Sequence, residues 1–94
     1  MKSSKATKFI VIPTKTYRRN VRRQRKRCAD LTKLENILNA LQQGLPLLPR
    51  HRHHRLLGSP GCYELHISSD WLLTYQVSGN TLRLLRLGTH SDIF

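Results

Sequence analysis

Five histidines occur in this chain with no cysteine or serine in a nucleophile's surroundings, and two of them, His66 and His90, fall with Asp70 at or just beyond the ends of predicted strands. Strand ends and the loops beyond them are where a rigid sheet presents titratable groups. Imidazole, with an ordinary pKa of about 6.5, can take or give a proton near neutral pH. Arginine adds bidentate contacts to an anion. Together these are the parts needed to cleave RNA without a metal. The substrate's own 2′-hydroxyl attacks, so the protein need supply only a general base, a general acid and positive charge for the pentacoordinate phosphorane. One histidine at a strand end is more often a structural hydrogen-bonding group, so the reading rests on the set.

The other three histidines lie in Arg50-His51-Arg52-His53-His54-Arg55. This run sits within a stretch from Leu45 to Pro60 whose prolines and polarity predict a loop. A metal site fits poorly there, because ligands one and two residues apart do not converge easily and the flanking guanidinium groups repel a dication. A catalytic or phosphate-binding loop fits the charge better. No metal or other cofactor is expected, and no glycine-rich phosphate loop or repeat is present.

The elements that must position these groups are legible from periodicity. In Cys62 to Ile67, Tyr63, Leu65 and Ile67 alternate with Glu64 and His66, the pattern of a half-buried strand. Ser68-Ser69-Asp70 predicts a turn, Trp71 to Val77 a second strand, Ser78-Gly79-Asn80 a hairpin loop and Thr81 to Leu87 a third strand. Upstream, Phe9 to Ile12 is a continuous apolar run that suits a strand buried on both faces or lying at a sheet edge before Pro13. Thr14 is a candidate N-cap for a helix in which Tyr17, Val21, Gln24 and Cys28 recur at helical spacing. Asp30 caps a second helix with the stripe Leu31, Leu34, Ile37, Leu38 and Leu41, ending before Gly44 and Pro46. The expected fold is α+β over residues 1–94 as a single domain: an N-terminal strand, a two-helix hairpin bending around Cys28-Ala29 and covering one sheet face, then an antiparallel three-strand meander. Trp71 is expected in the core.

With 17 Lys and Arg against 5 Asp and Glu, the formal charge is +12. That excludes a binder of neutral ligands and points to nucleic acid or an acidic protein. Seven cations lie between Arg18 and Arg27. They repel one another along the first helix, a cost that phosphates would offset, so Arg22, Arg23, Lys26 and Arg27 are expected to hold an RNA backbone without reading bases. Cys28 and Cys62 are far apart and lack metal spacing, which predicts free thiols in a reducing compartment. The start is basic like a signal peptide, but its apolar run stops at Pro13, too short for a membrane span. A soluble cytoplasmic protein is expected.

Three segments carry a resemblance. His54-Arg55-Leu56-Leu57-Gly58, Glu64 to Tyr75, and Arg86-Leu87-Gly88-Thr89-His90-Ser91-Asp92-Ile93-Phe94 resemble the YafQ branch of the RelE/ParE toxin superfamily, ribosome-dependent mRNA endonucleases of bacterial toxin–antitoxin pairs. The likeness covers residues 30–94; the first 29 residues match only in plan. His54 matches the histidine of the family's H-x-L-x-G, His66 and Asp70 the pair in H-(x)3-D-W, and His90 and Phe94 the terminal G-(S/T)-H-(x)3-F. The resemblance implies a catalytic cluster of His54, His66, Asp70 and His90, with Phe94 ordering a base. Arg52, Arg55 and Arg86 are candidates for the scissile phosphate, since Tyr63 stands where relatives often place a basic residue. His51 and His53 have no clear family counterpart and are read as tuning the loop's charge.

The implied partners are the ribosome, mRNA and an acidic antitoxin. In the expected mechanism His54 or His66, oriented by Asp70, is the base, and His90 is the acid. A non-catalytic binding module on the same fold, such as a gyrase-poisoning relative, is the alternative; it would have no need for His54, His66 and His90 together.

Overall fold

The computed structural model describes residues 8–27 and 30–93. Phe94, Cys28 and the bend around Cys28-Ala29 lie outside the described residues. The elements run β1 (Ile10–Pro13), α1 (Lys15–Lys26), α2 (Leu31–Gln43), β2 (His54–Arg55), β3 (Cys62–Ser68), β4 (Trp71–Ser78), β5 (Thr81–Gly88) and α3 (His90–Ile93). Each meander strand falls within one residue of its predicted end.

The strands form one sheet in the order β1-β5-β4-β3-β2. β1 pairs parallel to β5, with Val11 opposite Leu82, and the other pairs are antiparallel. The continuous apolar run is therefore an edge strand. Val11 packs towards the core, while Ile10 and Ile12 are 57% and 44% exposed on the opposite face. Pro13 ends the strand, having no N–H for the ladder. Thr14 then does two jobs: its hydroxyl accepts from the Tyr17 N–H at 3.2 Å and donates to the Leu84 carbonyl at 2.8 Å, which ties the start of α1 to β5.

Both helices cover one face of the sheet. Tyr17 from α1 and Leu34, Ile37 and Leu41 from α2 pack against Leu65, Ile67, Trp71, Leu73, Tyr75, Leu82, Leu84 and Leu87. Burying each large aliphatic side chain contributes about 1.5–3 kcal/mol. Trp71 is core, as expected. At the end of α2, Gly44 takes the left-handed conformation (φ 72°), and the Leu45 N–H closes onto the Ala40 carbonyl.

One strand departs from the expected loop. After a single 3-10 turn at Pro49–His51, residues His54 and Arg55 pair with Glu64 and Tyr63 to make β2. Two residues of low strand propensity leave no periodic signal; the neighbouring edge of β3 imposes the conformation. Among the described residues no helix is long and apolar enough to cross a membrane.

Candidate active site

The face of the sheet that the helices leave open carries the histidines. Side chains alternate along each strand, so Glu64 and His66 point away from Leu65 and Ile67. Register then builds a row across four strands: His54 on β2 faces Glu64 on β3, Glu64 faces Thr74 on β4, and Thr74 faces Arg86 on β5. One step along, His66 faces Leu72, which faces Gly88.

At the end of that second row the chain brings in Asp70 from the β3–β4 turn and His90 from the start of α3. His90 Nδ1 lies 3.1 Å from Asp70 Oδ1, and the His90 backbone N–H donates to the same oxygen at 3.3 Å. These two bonds, the ring's first, hold the Asp70 carboxyl below the usual carboxylate range. The carboxylate accepts from Nδ1, which fixes a proton on that nitrogen and orients the ring. The His66 ring lies 5.9 Å from the His90 ring, centroid to centroid. Three of the four expected catalytic residues are thus gathered. Asp70 holds His90, however, and orients neither His54 nor His66; the turn that carries Asp70 lies against α3.

His54 stands in the neighbouring row. Its Nδ1 lies 2.7 Å from the Arg52 carbonyl, and its Nε2 lies 3.6 Å from Glu64 Oε1. Arg52 reaches this arrangement in the left-handed region (φ 45°), the one non-glycine residue to do so among those described. Such backbone costs of the order of 1–3 kcal/mol and persists where surrounding contacts dictate it.

The small helix that presents His90 is built around Asp92, to which the sequence reading gives no role. The Thr89 N–H donates to Asp92 Oδ2 at 3.0 Å and the Asp92 N–H donates to Thr89 Oγ1 at 3.3 Å, a reciprocal capping box around His90. Asp92 also accepts two bonds from Arg27, at 2.8 and 3.3 Å, and one from Gln24 at 3.4 Å, with Arg23 3.7 Å away. Arg27, and after it the Thr89 N–H, holds the Asp92 carboxyl well below the usual range. A Cβ on Gly88 would come within 2.7 Å of Asp92 Cβ, so this packing requires glycine. Arg86 completes the anchorage by donating to the Ile93 carbonyl at 3.3 Å. Thr89-x-x-Asp92 is a capping pattern and is the signal available in the sequence.

The arginine helix is accordingly not uniform. Arg23 and Arg27 fasten α3, whereas Arg22 and Lys26 are exposed without an ion-pair partner among the described residues. Arg52, with Arg50, lines a cavity of about 370 Å³ that includes His66, Ser68 and Ser69. Arg55 pairs with Tyr63 in register and so falls on the face away from His54.

His51 and His53, read as loop charge, are structural. His51 is buried and donates from Nδ1 to the His66 carbonyl at 2.7 Å, beside the register shift between His66 and Ser68 in the β3–β4 pairing. His53 stacks with Tyr75 at 5.8 Å, meets Tyr63 at a tilt at 5.5 Å, and hydrogen-bonds the Tyr75 hydroxyl. Burial, and secondarily the neighbouring His54, lowers its pKa. Tyr63 and Tyr75 also stack on each other, at 5.4 Å. Cys62 is a half-buried free thiol. Among the described residues no cluster of three or more His, Cys, Asp or Glu is placed to hold a metal ion.

A family model described as the bacterial toxin of type II toxin–antitoxin systems, YafQ, matches residues 10–94. The mRNA interferase toxin YafQ of Escherichia coli strain K12 is 35% identical over 80 residues, covering 83% of this chain and 87% of the relative. Among solved structures, the E. coli DinJ–YafQ toxin–antitoxin complex matches with a TM-score of 0.87 at 31% identity, covering 93% of this chain and 98% of the matched one. A metal-bound toxin from Helicobacter pylori matches with a TM-score of 0.85 at 32% identity, covering 92% and 99%. The family match takes in β1 and α1, so the likeness extends well beyond the segment after residue 30 and includes the arginines that fasten His90. The chain belongs to the YafQ family of bacterial toxins of type II toxin–antitoxin systems.

Proposed function

We propose that this toxin is an endoribonuclease that cuts mRNA on the ribosome by acid–base catalysis, with the substrate's 2′-hydroxyl as nucleophile and no metal in the chemical step. The observation that carries the reading is the Asp70–His90 pair with the His66 ring 5.9 Å from the His90 ring, on the sheet face opposite the helices. The E. coli relative's name, mRNA interferase, supports the substrate class.

A histidine of the open face, His54 or His66, takes the 2′-hydroxyl proton as O2′ bonds to phosphorus. The P–O5′ bond breaks and its electron pair passes to O5′, which takes the proton from His90 Nε2. Asp70 keeps the other His90 nitrogen occupied. Arg86 and Arg52 neutralise the phosphorane, Phe94 orders a base, and Arg22 and Lys26 hold ribosomal RNA. The products carry a 2′,3′-cyclic phosphate and a 5′-hydroxyl. The site of action is then the cytoplasm, where ribosomes are.

The +12 charge calls for an acidic antitoxin as the neutralising partner, and the DinJ complex of the E. coli relative supports one. Purified ribosomes carrying a defined mRNA provide the test: toxin should release fragments with those ends. Fragments bearing 3′-hydroxyl and 5′-phosphate ends would refute the mechanism, and intact mRNA would refute the activity.

A further inference from the structure

Two basic residues to which the mechanism gives no role converge beside the histidines. Lys33 on α2 and Arg50 in the 3-10 turn line a cavity of about 310 Å³ together with Asn36 and Ser68. That cavity shares Arg50, Ile67 and Ser68 with the one of about 370 Å³ lined by His66, Arg52 and Ser69, so the two make one groove leading away from His66. Both volumes lie in the range of small-ligand sites, about 300–1,000 Å³. Neither lining includes a carboxylate, and neither Lys33 nor Arg50 has an ion-pair partner among the described residues. Like charges gathered without a counter-ion repel one another until an anion joins them. Arg50 is also held in place: its neighbour His51 is buried and donates to the His66 carbonyl, which fixes the turn to β3.

We infer that this groove is a subsite for the mRNA backbone in which Arg50 and Lys33 hold a phosphate flanking the scissile one, an assignment that rests on the endoribonuclease reading above. A guanidinium presents paired N–H donors that match two phosphate oxygens, and an ammonium adds a second charge with little geometric demand. Asn36 and the Ser68 hydroxyl add neutral donors. The groove opens from the cavity that His66 lines, so the strand that enters it is the strand being cut. No Phe, Tyr or Trp lines either cavity, so a base finds no large ring to stack on and the contact is with the phosphodiester. A third cavity, beyond Ser68 and Ser69, also reaches Lys33, but Asp30 and Asp70 line it. Their charge repels a phosphate and steers the strand to the Arg50 side.

The experiment makes Lys33→Gln and Arg50→Gln together in the full chain, both at exposed positions, and measures binding to ribosomes carrying an mRNA with a 2′-deoxynucleotide at the cleavage position. A series of these mRNAs carries one neutral methylphosphonate linkage, moved a position at a time to either side of the cleaved bond. On the unmodified backbone the variant's half-saturation should rise about 10-fold, the scale of losing hydrogen bonds to a charged group. Wild type should show a rise of that size at one flanking linkage, and there the variant should lose nothing further. Ribosomes without mRNA should bind both proteins equally, and on all-ribose mRNA the single-turnover rate at saturating toxin should hold. Weaker binding to ribosomes without mRNA would move the contact to ribosomal RNA and overturn the assignment. Effects that simply add at every linkage, an unchanged half-saturation, or weakening confined to the complex with an acidic antitoxin would overturn it as well. All-ribose mRNA left intact by wild-type toxin that keeps this binding pattern would instead overturn the functional reading and leave the phosphate contact standing.

Discussion

The two ends of the candidate site are held by different physics. His54 and His66 stand on paired strands, where register fixes them and the loop from Arg50 to Arg55 bolts them down: His51 to the His66 carbonyl, His54 to the Arg52 carbonyl. His90 stands on α3, four residues long and without a buried side chain. A helix that short has no stability of its own. The capping box of Thr89 and Asp92, the Arg27 and Gln24 contacts across to α1, and the Asp70 contact supply what packing does not. The end with His54 and His66, the proposed base end, is a property of the sheet, and the end with His90, the proposed acid end, is an electrostatic assembly at its rim. The arginine helix proposed to offer charge to RNA therefore also holds His90 in place.

If that contrast is right, damage to the acid end should be severe without unfolding the protein. His90→Gln should lower single-turnover cleavage by about 10²–10⁴-fold with the melting temperature and ribosome association unchanged. Next, Asp92→Asn should cost about 10- to 100-fold in rate and about 1 kcal/mol of stability through the weakened cap, although Asp92 touches no reacting atom. Its pH dependence follows from the sign of the shift. The Asp92 carboxyl lies well below its unfolded value of about 3.9. Its contribution is therefore complete above that value and disappears as pH falls through the folded one. The melting difference between wild type and Asp92→Asn should be constant near neutrality and shrink below about pH 4.

At the base end, His51→Leu should lower stability by about 1 kcal/mol and cleavage by a smaller factor than Asp92→Asn, because the ladder still holds His66. A larger drop than Asp92→Asn gives would reverse the comparison. The smallest effect on chemistry belongs to Arg22→Gln with Lys26→Gln. Ribosome affinity should become less salt-dependent, by roughly one unit of slope for each phosphate no longer neutralised, while the rate at saturation holds. An unchanged slope would remove these residues from the RNA interface.

The elements whose signal is periodic are legible in the sequence. Tyr63, Leu65 and Ile67 mark one face of β3, and the leucine stripe of α2 marks its packing side. His54, His66, Asp70 and His90 stand out through a family resemblance, and neither it nor their spacing says who pairs with whom: the expected mechanism sets Asp70 beside His54 or His66, and the fold sets it beside His90. β2 is illegible because two residues carry no period. Glu64 reads as the solvent side of an alternating strand, yet it is buried, since alternation reports which face a residue occupies and not what covers that face. The capping box is written in Thr89 and Asp92 beside the more conspicuous His90. The structural roles of His51 and His53 depend on contacts 15 and 22 residues away in sequence, which no local pattern encodes.

The most direct test of the account is a ribosome-bound mRNA carrying a single 2′-deoxynucleotide on the 5′ side of the cleaved bond. With the nucleophile removed and everything else unchanged, the toxin should bind the complex as before and leave that position uncut, while the all-ribose control is cleaved. Cleavage of the deoxy substrate at the control rate would contradict a histidine site that works through the substrate's own hydroxyl.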